Sequence, residues 1–272
     1  MINKIKFENI IGLNFCGDIH GEFENLVYQI TDRYKMENTV TICCGDIGMG
    51  FNKDEYYFQV FLKLNKKLIK DNNYVIFLRG NHDNADYFNN EGKTNLFRKY
   101  KQIHLIPDYT IIELNNIINV LCIGGATSVD RVDRIAAERR KWGKKIYWEN
   151  EIVIYDEDKL KEINELYPCN IQIIATHTSP DFCYPTTKQG IMGFLLKDNQ
   201  LNDDLNIERG LITNIFNYLV DNGQVSILEW WYAHFHEYKR ENINGINFIL
   251  LDCNQIMESP LFRSLNSKKD EY

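Results

Sequence analysis

Three apolar runs in the first 83 residues stop in the same way, and that repeat limits the chain to few folds. Leu13-Asn14-Phe15-Cys16 halts at Gly17-Asp18-Ile19-His20-Gly21, residues 39–44 halt at Gly45-Asp46, and residues 74–78 halt at Arg79-Gly80-Asn81-His82-Asp83. Between them, residues 22–33 place Phe23, Leu26, Val27 and Ile30 at helical spacing, and residues 54–70 do so with Phe58, Phe61, Leu62 and Leu68. Alternation of this kind predicts an α/β fold in which parallel strands are joined by helical crossovers. Ligands gather at the carboxyl ends of such strands, and all three polar clusters occupy that position. Asp18 and His20 are two residues apart, so on extended backbone their side chains point the same way. An oxygen donor beside a nitrogen donor suits a first-row divalent metal.

Beyond residue 103 the pattern changes to short strands over 104–106, 109–114 and 117–123, with Asn115-Asn116 as a hairpin turn. They end at Gly124-Gly125-Ala126-Thr127-Ser128-Val129-Asp130-Arg131. A locally basic stretch, 131–145, follows, with Trp142, Tyr147 and Trp148 interleaved or adjacent. Residues 156–166 read as a helix capped by Asp156. A strand over 171–176 delivers His177, and residues 181–204 show no long period and read as an insertion near the site. A helical stretch over 211–220 precedes a strand over 227–232, which leads into Ala233-His234-Phe235-His236. Asn244-Gly245 marks a second hairpin turn, and 264–272 reads as a flexible polar tail. No linker or repeat interrupts the chain, so the expectation is one domain over 1–272.

With 31 basic and 38 acidic residues the net charge is −7, which argues against a global electrostatic grip on nucleic acid or anionic lipid. No apolar run approaches the ~18 residues of a membrane span. The N-terminus lacks a signal-peptide core. The seven cysteines are scattered, several lie inside apolar runs and none forms a CxxC pair. They read as small hydrophobes of a cytoplasmic protein, with no thiolate in a metal set.

Of the six histidines, five follow predicted strands directly. Asp18, His20, Asp46, Asn81, His177, His234 and His236 are too many donors for one tetrahedral zinc. They are the right number for two ions sharing one carboxylate, and His82 is left over. Two such ions can clamp a phosphate and stabilise in-line displacement.

Taken in order, Gly17-Asp18-Ile19-His20-Gly21, Gly45-Asp46, Gly80-Asn81-His82-Asp83, His177 and His234-x-His236 resemble the signature of the calcineurin-like metallophosphoesterases, and the Gly124 to Arg131 segment resembles a stretch of bacterial and phage members of unassigned substrate. The resemblance implies two mixed β-sheets packed as a sandwich and flanked by helices. It assigns Asp18, His20 and His236 to one metal, Asn81, His177 and His234 to a second, and Asp46 to both. His82 is implied as the proton donor to the leaving oxygen, oriented by Asp83, and hydrolysis as attack by a metal-bridging hydroxide. Arg79 and Arg131 are the substrate-binding candidates. The Arg79-Gly-Asn-His-Asp string is similar to the Ser/Thr protein phosphatase form, whereas Met49-Gly50 replaces the Asp-Arg pair of that branch. The expected ions are two of Mn, Fe, Zn, Co or Ni, with Mn for assays in vitro. The preferred expectation is a phosphomonoesterase acting on a phosphorylated small molecule, nucleotide or peptide. The alternatives are a phosphodiesterase or nuclease, and a non-catalytic interaction protein with this fold.

Overall fold

Most apolar runs are buried along their whole length, so alternate side chains need a core on either face, and that decides the layering. The computed structural model describes residues 1–89, 92–140, 144–183, 185, 189–224 and 226–267. Its strands are β1 (Lys4–Phe7), β2 (Gly12–Cys16), β3 (Thr39–Cys43), β4 (Tyr74–Phe77), β5 (Ile103–Leu105), β6 (Thr110–Leu114), β7 (Ile118–Ile123), β8 (Ile173–Thr176), β9 (Glu229–Tyr232), β10 (Lys239–Ile243), β11 (Ile246–Leu250) and β12 (Ile256–Glu258). The helices are α1 (Phe23–Tyr28, continued by a wider turn over Gln29–Arg33), α2 (Asp54–Lys70), α3 (Arg131–Arg140), α4 (Glu157–Leu166), α5 (Met192–Leu195), α6 (Leu201–Asp221) and α7 (Pro260–Ser267).

One sheet has the order β12-β2-β3-β4-β5, the other β1-β6-β7-β8-β9-β11-β10. Both are mixed. β2 to β5 run parallel with β12 antiparallel on the edge. In the larger sheet β7, β8, β9 and β11 run parallel, and the β6–β7 and β10–β11 pairs are antiparallel. Alternate side chains sort into separate cores. Val40, Ile42, Ile76, Val120, Ala175, Trp231 and Ile249 fill the space between the sheets. Cys43, Val75 and Phe77 face outward under Phe23, Phe61 and Leu68 of α1 and α2. Leu121, Ile174, Trp230 and Phe248 face the other way under α4 and α6. The layers are therefore helix, sheet, sheet, helix, as the resemblance implied.

Phe15 of β2 stacks on Trp231 of β9, with ring centroids 4.5 Å apart and planes 10° apart. The pair joins two strands from different sheets just before each releases a site residue, Asp18 and His234. Such a contact adds about 0.5–1.5 kcal/mol beyond burial, and here it also fixes the spacing of the strand ends. Both hairpin turns form as expected: Asn115 and Asn116 have φ of 53° and 56°, and Asn244 and Gly245 have 52° and 87°.

Two expectations change. The stretch read as helical from 211 begins ten residues earlier, because α6 starts at Leu201. Its inner face carries Glu208 and Arg209, buried polar residues that interrupt the apolar period. The segment 181–204 accordingly contains α5 and the first turn of α6, and residues 184 and 186–188 lie outside the described residues. The flexible tail expected over 264–272 begins inside α7, which runs to Ser267, and 268–272 lie outside the described residues.

Candidate metal centre

The strands β2, β3, β4, β8 and β9 each end in a loop that carries a donor to one edge of the sandwich. The loops are laced together by backbone bonds: His20 N–H donates to the Asp46 carbonyl (2.9 Å), Gly21 N–H to the Ile47 carbonyl (2.9 Å) and Ala233 N–H to the His177 carbonyl (3.0 Å). Asp18 Oδ1 accepts from the backbone N–H of His234 at 3.2 Å, tying the β2 loop to the β9 loop across the two sheets. Four donors, His20, Asp46, His234 and His236, have left-handed backbone with φ of 45°, 48°, 73° and 51°. Non-glycine residues in that region carry strain of about 1 kcal/mol or more, and it recurs here where side chains must be aimed inward. Gly80 shows how tight the centre is: a Cβ there would stand 2.1 Å from Asp46 Oδ1.

The donors fall into three groups linked in a chain, the first to the second through His20 and the second to the third through Asp46. Atoms of Asp18, His20, His236 and Cys253 all lie within 4.8 Å of one another, as do those of His20, Asp46 and His82, and those of Asp46, His177 and His234. Asp18 Oδ2 is 2.9 Å from His236 Nε2 and 3.8 Å from His20 Nε2, and the two imidazole nitrogens are 3.2 Å apart. On the other side His177 Nε2 is 3.2 Å from Asp46 Oδ1 and 3.0 Å from Asn81 Oδ1. Neighbouring donors on a cation with bonds of about 2.0–2.2 Å are separated by roughly 3–3.5 Å. The spacings fit.

Electrostatics points the same way. Asp18 and Asp46 are buried, and among the described residues their only cationic partners are histidines. Burial opposes charge on both Asp46 and His177, but their mutual attraction outweighs it. The carboxyl is held far below the usual range and the imidazole is raised to about 9. The hydrogen bond to Asp18 raises His236. Burial, then His177, drives His234 well below its ordinary value. Protons on imidazole thus supply the positive charge that these carboxylates demand, which divalent cations would supply more fully. His177 Nδ1 lies 2.6 Å from the Cys44 carbonyl. With Nδ1 donating to that oxygen, Nε2 is the nitrogen that faces Asp46 and Asn81, and loss of its proton would free a lone pair there for a cation.

Asn81 is aimed by a buried network absent from the sequence reading. Its Nδ2 donates to Ser128 Oγ at 3.0 Å, leaving Oδ1 toward His177. Ser128 Oγ in turn donates to Glu151 Oε2 at 2.6 Å, and Arg134 Nη1 donates to Ser128 Oγ at 2.8 Å. Arg134 is 6% exposed, and its guanidinium lies over Phe51, Tyr147 and Trp148 at 5.7–6.0 Å.

Three expected roles need correction. Asp83 does not orient His82; it is fully buried and accepts four backbone N–H groups, from Ile47, Gly48, Met49 and Gly80, at 2.8–3.1 Å. Burial, then Asp46, pushes its pKa up to about 7 against those four donors. Arg79 is no phosphate clamp. It is 4% exposed, and all five N–H groups donate inside the protein, to Asp108 Oδ2 and the carbonyls of Asn150, Glu151 and Ile152. Arg131 is held by Asp198 and Asp204, each at 2.5 Å. The sequence reading also excluded cysteine from the ligand set, whereas Cys253 Sγ lies among the first group.

His82 sits beside the donors it was expected to serve. Its backbone N–H donates to Asp46 Oδ1 at 2.7 Å, and its ring lies 6.4 Å from Phe51 with planes 22° apart. Burial lowers its pKa, opposed by Asp46.

Among solved structures, the chain superposes on a Staphylococcus aureus protein assigned as a 5'-nucleotidase, with a TM-score of 0.50 and 10% identity, over 90% of this chain and 49% of that one. It thus spans about half of that longer chain. The phosphopantetheinyl hydrolase of Mycobacterium tuberculosis gives 0.45 and 11% over 92% and 95%, and a Saccharomyces cerevisiae serine/threonine phosphatase gives 0.37 and 13% over 92% and 70%. At 10% identity the likeness to the first of these is one of fold. No curated protein matches. The family model described as calcineurin-like phosphoesterase matches residues 13–238. That match covers most of the chain and all seven donors expected from the sequence, so the chain belongs to the calcineurin-like phosphoesterase family.

Proposed function

We propose that the chain is a phosphomonoesterase with two divalent ions, one on Asp18, His20 and His236, the other on Asn81, His177 and His234, with Asp46 shared. The observation that carries this reading is the position of Asp46, which lies within 4.8 Å of a donor on His20 of the one triad and of donors on His177 and His234 of the other. Bound there, the ions would neutralise phosphoryl oxygens and acidify water.

The protein's own residues supply the rest. Asp46 Oδ1 fixes the His82 backbone, and a ring nitrogen of His82 lies within 4.8 Å of donors on His20 and Asp46. From there His82 delivers a proton to the leaving oxygen. Burial disfavours its charged form; an entering phosphate dianion favours it. Phe51, packed edge-on against Trp148 at 5.1 Å, gives the ring an apolar wall.

The charge pattern favours a small phosphorylated molecule, nucleotide or peptide over a long polyanion. Arg131 and Arg134, the two arginines of the basic stretch nearest the strand end, are used internally, and the net charge is −7. All seven cysteines are free, which suits a reducing cytoplasm. Among the described residues no helix is long and apolar enough to cross a membrane.

The test is a comparison of p-nitrophenyl phosphate and bis-p-nitrophenyl phosphate with Mn²⁺, for wild type and His82→Ala. The reading expects preference for the monoester and a loss of about 10²–10⁴-fold in the variant. Preference for the diester would replace it with a phosphodiesterase, and no turnover of either substrate would remove it.

A further inference from the structure

The chain returns to the first metal group after β11, at a place no sequence motif marks. Beyond Leu250, residues 252–255 turn back so that β12 pairs antiparallel with β2, Ile256 opposite Cys16. The turn is pinned at every step. Gly17 N–H donates to the Gln255 carbonyl (3.1 Å) and Asn254 N–H to the Asp18 carbonyl (2.9 Å). Cys253 N–H donates to Asp252 Oδ1 (2.7 Å), and Asp252 N–H to Gln255 Oε1 (3.0 Å). Gly17 approaches so closely that a Cβ there would stand 2.2 Å from the Asp252 carbonyl oxygen. These contacts act on the Asp18 loop itself, so whatever fixes Asp18 also fixes Cys253.

As a result the Cys253 sulfur shares the 4.8 Å group of Asp18, His20 and His236. Cys16, Cys43, Cys44, Cys122 and Cys183 are buried in the apolar clusters, whereas Cys253 is half-exposed at the rim of the site.

We propose that Cys253 is a further protein donor to the first metal, bound as thiolate, which gives that ion one sulfur, two imidazoles and two carboxylates, that of Asp46 being shared. The inference rests on the reading that Asp18, His20 and His236 hold an ion. Binding breaks the S–H bond and releases its proton to solvent as the metal–sulfur bond forms. The two sites then differ in softness. Thiolate favours zinc, iron or cobalt over manganese at the first site, while the carboxylate, amide and imidazoles of the second do not discriminate in that way.

Cobalt(II) added to the metal-free full-length protein tests this by absorption, without turnover. The proposal expects visible ligand-field bands together with a near-ultraviolet thiolate-to-cobalt charge-transfer band. The charge-transfer band disappears in Cys253→Ser and persists in Cys169→Ser, which alters the one fully exposed thiol. Ligand-field bands without the charge-transfer band in wild type would overturn the role of Cys253 and leave the metal site standing. Absence of both would overturn the two readings together, and a charge-transfer band retained in Cys253→Ser would overturn the assignment. A variant-free readout is thiol titration of wild type: Zn²⁺ should lower the accessible thiols by one, and an unchanged number would refute thiolate ligation.

Discussion

Replacing Asp83 by asparagine separates a structural role from a catalytic one. Each carboxylate oxygen serves two donors: Oδ1 accepts from Gly48 and Met49, and Oδ2 from Ile47 and Gly80. Three of those N–H groups belong to the loop after β3 that carries Asp46, and one to the loop after β4 that carries Asn81. Asparagine keeps the shape but swaps one oxygen for an amide NH₂, leaving two buried N–H groups facing a donor. An unsatisfied buried donor costs about 1–3 kcal/mol, so Asp83→Asn should destabilise the fold by about 2–6 kcal/mol. Against a total stability of roughly 5–15 kcal/mol that is a large share. With a urea slope of about 3 kcal/mol per M, the unfolding midpoint should fall by about 0.7–2 M. A midpoint within about 0.3 M of wild type, accompanied by an altered pH–rate profile, would refute the argument and return Asp83 to the role of orienting His82.

Two further outcomes follow from side chains outside the donor set. Ser128→Ala should weaken the second metal site by about 10–100-fold in a direct binding titration, with Ser128→Thr restoring most of it, because the hydroxyl accepts from Asn81 Nδ2. Unchanged affinity would mean that Asn81 needs no such support. His104 lies against Phe7 at 5.7 Å with its Nε2 buried and without a hydrogen-bond partner, and burial lowers its pKa. A depressed folded pKa means that its contribution is present above the unfolded value, about 6.5, and is lost as pH falls through the folded one. The urea midpoint should therefore drop between pH 7 and pH 5 less in His104→Gln than in wild type; equal drops would exclude His104.

The donors were legible because strand-end chemistry is local: Asp18, Asp46, Asn81, His177 and His234 each follow an apolar run within a few residues. The arginines were not, because their partners are distant in sequence. Arg79 is claimed by Asp108 and by carbonyls of residues 150–152, and Arg131 by Asp198 and Asp204. A clamp and a buried ion pair look alike until those partners are placed. Cys253 was hidden for a related reason, since its position depends on the pairing of β12, a three-residue edge strand with little apolar signal. The first half of α6 escaped because its inner face carries Glu208, which accepts from Thr127 N–H and from Thr178 Oγ1. Helical period is read from apolar residues, and here polar ones occupy the buried stripe.

Calorimetric titration of the metal-free protein with Mn²⁺, run in parallel on Asp46→Ala, tests the two-ion reading most directly. The account predicts two ions per chain for wild type and weakening of both sites in the variant, because Asp46 lies within 4.8 Å of donors on His20 on one side and on His177 and His234 on the other. A single ion per chain, or two ions bound equally well without the Asp46 carboxylate, would contradict it.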